Sequence, residues 1–351
     1  MTDGTQTPPQ FEELQNIRSG LNTQHPKQRP TLLVGLIVIA VVLLVIAAII
    51  QIYTPKTLVV PQTSFVSTNS NNTIPNLRKV SYTGPTPDFP NQFSIFSASL
   101  VVSETQMIQD LSAKYGLLRV NPTSNIWTNG ALSLFKDTSA NHFVLTLKDL
   151  RNESLPIVNP TTSEQVATSY LRETFPQIQL RPLMDQATYF VLALEIESNT
   201  SSDKATGMNI PFTQVLETEE FPVIFEKADQ PLFFVTMDGN NTVRLVTFYS
   251  QFQNYVKVDT KAPISVEQAL DQIQNGVGSI LSASTVEVNR VKMSDLTSAI
   301  LTAVTVEYRL DPQSSLLYPF YKFSGTATSA NNVAADIQVI TPAIQTGSQT
   351  R

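Results

Sequence analysis

Chemistry in this chain would have to come from four short stretches. The first holds His142, on a run of strand character. The other histidine, His25, sits in a polar amino-terminal region. A lone imidazole with no acid partner identified beside it reads as structural, because a metal site or a general base needs further groups converging on it. The second stretch is Ser201-Ser-Asp-Lys204-Ala-Thr-Gly207, with S-x-x-K spacing and a K-T-G-like end. A serine nucleophile with a lysine base needs the pair one helical turn apart in a buried pocket. This run of Asn, Ser, Thr and Asp instead predicts a loop. Glu217, Glu219 and Glu220 form the third group, just before Phe221. Carboxylates do acid–base work when one is desolvated, whereas a cluster in polar sequence predicts a solvated turn. The fourth, Asp238-Gly-Asn-Asn241, has calcium-type ligands but too few at loop spacing, and it predicts a tight turn.

Aromatic side chains are the remaining candidates. Trp127 precedes a hairpin, and Tyr318 and Phe320 lie on a strand dense in rings. Trp127, Tyr318 and Phe320 would form a recognition surface if they faced outward. The alternative is core packing, since strands with alternating aromatics normally bury one face.

Composition narrows the classes. Of 351 residues, 15% are charged against about 25% in ordinary soluble domains, while 42% are apolar, so the body is globular. Cysteine is absent, which excludes disulfides, thiol nucleophiles and Cys-ligated zinc. A net charge of -6 argues against nucleic acid as a partner, because a phosphate backbone demands a basic stripe.

Position relative to a membrane follows from residues 32–50, LLVGLIVIAVVLLVIAAII, where fifteen of nineteen are Leu, Ile or Val and none is polar. At ~1.5 Å per residue the run makes a helix of about 29 Å, matching the ~30 Å hydrocarbon thickness of a bilayer. A signal-peptide core is shorter, about 7–15 residues, and ends near small residues at cleavage spacing. Here 31 residues precede the run, and Gln51-Ile-Tyr-Thr-Pro55 follows it. Arg18, Lys27 and Arg29 stand before the span against Lys56 soon after. The positive-inside rule therefore predicts a cytoplasmic amino terminus and an extracytoplasmic body on the cell membrane.

Periodicity predicts how that body is built. Ser103-Glu-Thr-Gln106, Thr162-Ser-Glu-Gln165 and Ser265-Val-Glu-Gln268 each have capping-box form and open a short amphipathic run. The runs stop at Gly116, Pro176 and Gly276. Between them the period changes to two, at 131–137 and 142–148 as a hairpin, and at 189–196, 221–225, 232–237, 243–249, 286–291, 301–310, 318–326 and 334–340. Helices followed by antiparallel strands predict an α+β fold. The expected organisation is a cytoplasmic tail at 1–31, one transmembrane helix at 32–53 and a Ser/Thr/Asn/Pro-rich linker at 54–88. Three tandem units follow at 89–160, 161–262 and 263–341, each a short helix on an antiparallel sheet, then a tail at 342–351.

The carboxy-terminal segment resembles a known family. Residues 264–273, ISVEQALDQI, then 304–310, VTVEYRL, and 317–325, LYPFYKFSG, look like extracytoplasmic PepSY-type and YycI/YycH-type domains. In those a capped helix with an Ala-Leu pair precedes a strand ending in Tyr and a strand of L-x-P-x-Y/W-x-F character. The resemblance covers about 80 residues. It implies a small non-catalytic domain behind a membrane anchor, one that modulates a sensor kinase, a peptidase or another envelope partner, and it transfers no functional residues. The expectation is thus a non-enzymatic, single-pass protein that binds and regulates an envelope protein or peptide, without cofactor or metal. The alternatives are a cell-wall enzyme acting through carboxylates such as Glu219, Glu220 and Asp238, and a structural surface-layer attachment protein.

Overall fold

The computed structural model describes residues 77–85, 88–139, 142–147, 155–193, 196–217, 219–225, 230–249, 252–284, 293–311 and 314–345. The tail at 1–31, the predicted span at 32–53, most of the linker at 54–88 and the strand expected at 286–291 lie outside them. Among the described residues no helix is long and apolar enough to cross a membrane.

Two sheets share the chain between them. β1 (Lys79–Tyr82) and β2 (Phe93–Leu100) belong to a nine-stranded sheet. The chain then builds most of a ten-stranded sheet. Its strands are β3 (Leu118–Arg119), β4 (Ile126–Thr128), β5 (Ser133–Asp137), β6 (His142–Thr146), β7 (Leu180–Pro182), β8 (Thr188–Ala193), β9 (Ile196–Asn199) and β10 (Gly207–Gln214). β11 (Val223–Phe225) and β12 (Gln230–Pro231) return to the first sheet, and β13 (Phe233–Asp238) and β14 (Val243–Tyr249) rejoin the second. β15 (Gln253–Lys261), β16 (Ser279–Ser284), β17 (Leu296–Asp311), β18 (Leu316–Ser329) and β19 (Ala334–Pro342) complete the first.

Among the described residues three α-helices cover these sheets, as the α+β reading requires. α1 (Glu104–Tyr115) and α2 (Pro160–Thr174) lie on the ten-stranded sheet, burying Met107, Leu111, Ala167 and Leu171 among Phe143, Phe233 and Phe248. α3 (Val266–Gln274) buries Ala269 and Ile273 in the core of the nine-stranded sheet. The full capping box forms at Ser265 and Gln268, and Ser103 accepts the Gln106 N–H at the start of α1. At α2 the cap is Asn159 rather than Thr162. Pro160 is preset for the first helical position, and Asn159 Oδ1 accepts the Thr162 N–H at 3.1 Å, so the helix begins earlier.

Strand pairing departs from three tandem units. β6 of the first interval pairs with β14 of the second, Phe143 opposite Phe248, and α1 and α2 share one core. The open edge of the β5–β6 hairpin thus finds its partner a hundred residues later. The nine-stranded sheet is also mixed rather than antiparallel, because β1 and β11 both run parallel to β17. β10, absent from the strands expected, carries Pro211. Pairing to β8 ends at Asn209 and pairing to β7 begins at Phe212, so the missing N–H falls where the neighbour changes.

Candidate functional site

Each stretch singled out for chemistry occupies a structural position. His142 starts β6 with its ring edge-on to Tyr249 at 6.1 Å. Ser201 and Lys204 are exposed on a turn closed by the Lys204 N–H to the Ser201 carbonyl, not on a helix. Glu217 and Glu220 are exposed. Glu219 accepts the Ser94 N–H at 2.9 Å and lies beside Tyr308, whose hydroxyl donates to the Ser94 carbonyl. Burial, with the Glu219 carboxylate alongside, pushes the Tyr308 phenol above its ordinary value. Asp238 is buried against Arg244, and its other oxygen accepts the Asn240 and Thr242 N–H groups, which closes the turn between β13 and β14. Among the described residues no three His, Asp or Glu side chains are grouped to hold a metal ion.

The aromatic candidates are not brought together, and of the two readings the structure takes core packing. Tyr318 and Phe320 are 1% exposed, on a strand buried on both faces. Trp127, 9% exposed, lies on the inner face of the ten-stranded sheet, with the Arg119 guanidinium 5.2 Å from its ring.

A different surface stands out. Register places Ile126, Phe135, Val144, Thr247 and Phe234 side by side across β4, β5, β6, β14 and β13, and Val120, just past β3, joins the row by donating its N–H to the Ile126 carbonyl. A parallel row runs through Leu118, Thr128, Ser133, Thr146, Leu245 and Thr236. These rows form the face turned away from α1 and α2, whose side bears Leu134, Phe143, Leu145, Val246 and Phe248. A one-sided antiparallel sheet ordinarily presents polar residues outward. Here Leu118 is 77% exposed, Val120 56%, Ile126 41% and Phe135 42%, and neither row contains a charge. At the β10 end the face is closed, where the Thr213 hydroxyl is held between the N–H and carbonyl of Val223.

Energy indicates what such a face does. Burying a Leu, Ile, Val or Phe side chain fully is worth about 1.5–3 kcal/mol, so these four, roughly half exposed, hold about 3–6 kcal/mol that folding leaves unused. Association costs about 4–15 kcal/mol in lost freedom. The patch therefore suits a reversible contact helped by surrounding groups rather than a permanent one. Sequence reasoning missed it because the rows form across strands; within β3 and β4, two and three residues long, no alternation is readable.

No protein-family model matches the sequence, and no curated protein matches it. Among solved structures, YycH from Bacillus subtilis is similar at 10% identity with a TM-score of 0.34, over 74% of this chain and 54% of that protein. The chain bears a weak YycH-type resemblance and spans about half the length of YycH.

Proposed function

We propose that this is a non-catalytic protein, anchored by residues 32–50 with its body outside the cytoplasm, which binds another envelope protein through the outer face of the ten-stranded sheet and regulates it. The observation that carries the reading is the uncharged apolar patch of Leu118, Val120, Ile126 and Phe135, which the described residues leave open. Large apolar patches on a globular surface mark interaction sites. Further support comes from Asp238, whose carboxylate caps the turn between β13 and β14, from Glu219, whose carboxylate accepts the Ser94 N–H of β2, and from the carboxy-terminal motifs that resemble anchored regulatory domains. Chemical crosslinking of the full chain in intact cells tests it. The expected result is one dominant envelope-protein adduct that disappears in the Ile126→Lys, Phe135→Lys variant, together with removal of the body by protease added outside. An adduct pattern unchanged by the variant, or a body reached by protease only after lysis, overturns it.

A further inference from the structure

The carboxy-terminal ends of α1 and α2 meet at two phenols. Tyr115 Oη and Tyr170 Oη stand 2.7 Å apart and share a hydrogen bond, although 55 positions separate them in sequence. We propose that this pair is a site of oxidative coupling, at which a peroxide-driven one-electron oxidant joins the two rings as dityrosine and ties α1 covalently to α2.

Geometry carries the argument first. Tyr115 is the last residue of α1, and Tyr170 lies one turn before the end of α2. Thr174 Oγ1 is 3.3 Å from the Tyr115 hydroxyl, and Lys114 Nζ donates to that same oxygen at 3.1 Å and to the Glu173 carbonyl at 2.9 Å. The helix ends are therefore pinned together, and the phenols are in contact before any reaction begins. A phenoxyl radical carries much of its spin on the two Cε carbons beside its oxygen, which are the ring carbons next to the shared hydrogen bond. Other tyrosines are engaged differently. Tyr82, Tyr308 and Tyr321 each donate to a main-chain carbonyl, of Pro85, Ser94 and Ile264.

Access and competition point the same way. Both side chains are half-buried, so an outside oxidant reaches their edges, whereas Tyr308 and Tyr321 are fully buried. Cysteine, which ordinarily takes oxidising equivalents readily, is absent. Burial, with the Tyr115 hydroxyl alongside, holds the Tyr170 phenol above its ordinary value, so it enters the reaction protonated. Each phenol loses one electron and one proton, and the two radicals form a Cε–Cε bond. Each ring then recovers its aromaticity by moving the Cε hydrogen to its own oxygen. The pair gives up two electrons and two protons in all, which reduce one hydrogen peroxide to two waters. The new bond encloses β3, β4, β5 and β6, the strands that carry Leu118, Ile126 and Phe135.

The test treats the full-length chain, dilute in detergent, with a haem peroxidase and hydrogen peroxide, then reads dityrosine emission and maps the digest by mass spectrometry. The expected product is a within-chain peptide pair joining Tyr115 to Tyr170, two hydrogens lighter than the separate peptides and at least tenfold above any other tyrosine pair. Tyr115→Phe and Tyr170→Phe each abolish it, and Tyr189→Phe leaves it unchanged. Unfolding the unsubstituted chain in urea before oxidation removes the preference, because the folded contact selects the pair. Links spread evenly over several tyrosines, links only between copies, or a preference for 115–170 that survives urea overturns the proposal.

Discussion

The turn between β13 and β14 offers a quantitative test of how the ten-stranded sheet is held. Asp238 is fully buried, Arg244 nearly so, and they form an ion pair while the Asp238 carboxylate also accepts the Asn240 and Thr242 N–H groups at 2.9 and 2.8 Å. The same tip bonds α2 through the Ser163 hydroxyl to Asn241 Oδ1 and bonds β10's approach through the Gly239 N–H to the Thr206 carbonyl. Removing one member of a buried pair leaves an uncompensated charge and costs about 3–5 kcal/mol. Arg244→Met and Asp238→Asn should each lose that much. The double variant removes both charges and should cost far less than their sum. Trp127, the sole tryptophan, is buried on the inner face of the same sheet, so its fluorescence during urea unfolding reads the effect directly. With a denaturant slope of about 3 kcal/mol per M, each single variant moves the midpoint down by about 1–1.7 M. A shift under about 0.3 M, or strictly additive losses, would refute the claim that this pair secures the turn.

Phe175, buried at the end of α2, has ring contacts with Phe233, Phe248 and Phe252 at 5.0, 5.1 and 5.6 Å, and Phe175→Ala should cost about 3–5 kcal/mol by the same fluorescence assay. Gly239→Ala should abolish folded yield, since a Cβ there would stand 1.7 Å from the Pro156 carbonyl oxygen. Gly116→Ala, at φ 64° with open space around it, should cost only about 1 kcal/mol and keep the yield. Glu267 near the start of α3 is held below the usual carboxylate range by its own backbone N–H and then by the Ser265 hydroxyl. Its contribution to stability is therefore present above the unfolded pKa and lost as pH falls through the folded one. An NMR titration of its side chain should give a midpoint below that of an unfolded control peptide.

Local signals were legible and non-local ones were not. Caps at Ser103 and Ser265, stops at Gly116 and Gly276, and the β5–β6 and β13–β14 hairpins follow from neighbours within a few residues, and they stand where the spacing puts them. Which sheet a strand joins depends on partners a hundred or more residues away, as with β2 against β15, and periodicity holds no record of that. Alternation also misleads where a strand is covered on both faces. Leu317, Tyr318, Pro319, Phe320 and Tyr321 are all buried, so neither parity points outward, and Tyr318 and Phe320 cannot form a surface together. The expected strand at 189–196 is instead the β8–β9 hairpin, with Phe190 opposite Asn199.

Adjacent residues on β5 separate the two roles of the ten-stranded sheet. Leu134 is fully buried against the inner core, and Phe135, next to it in sequence, is 42% exposed in the outer row. Leu134→Ala removes core contacts and should cost about 2–5 kcal/mol. Phe135→Lys places its charge on the solvent side and should change stability by no more than about 0.5 kcal/mol, as surface substitutions do. Stability would then reside in the face under α1 and α2, and binding in the exposed patch of Leu118, Val120, Ile126 and Phe135 beyond it. Urea unfolding of the two variants side by side decides the point. If Phe135→Lys proved as damaging as Leu134→Ala, the outer row would be a packed part of the fold, and its exposure would no longer argue for a partner.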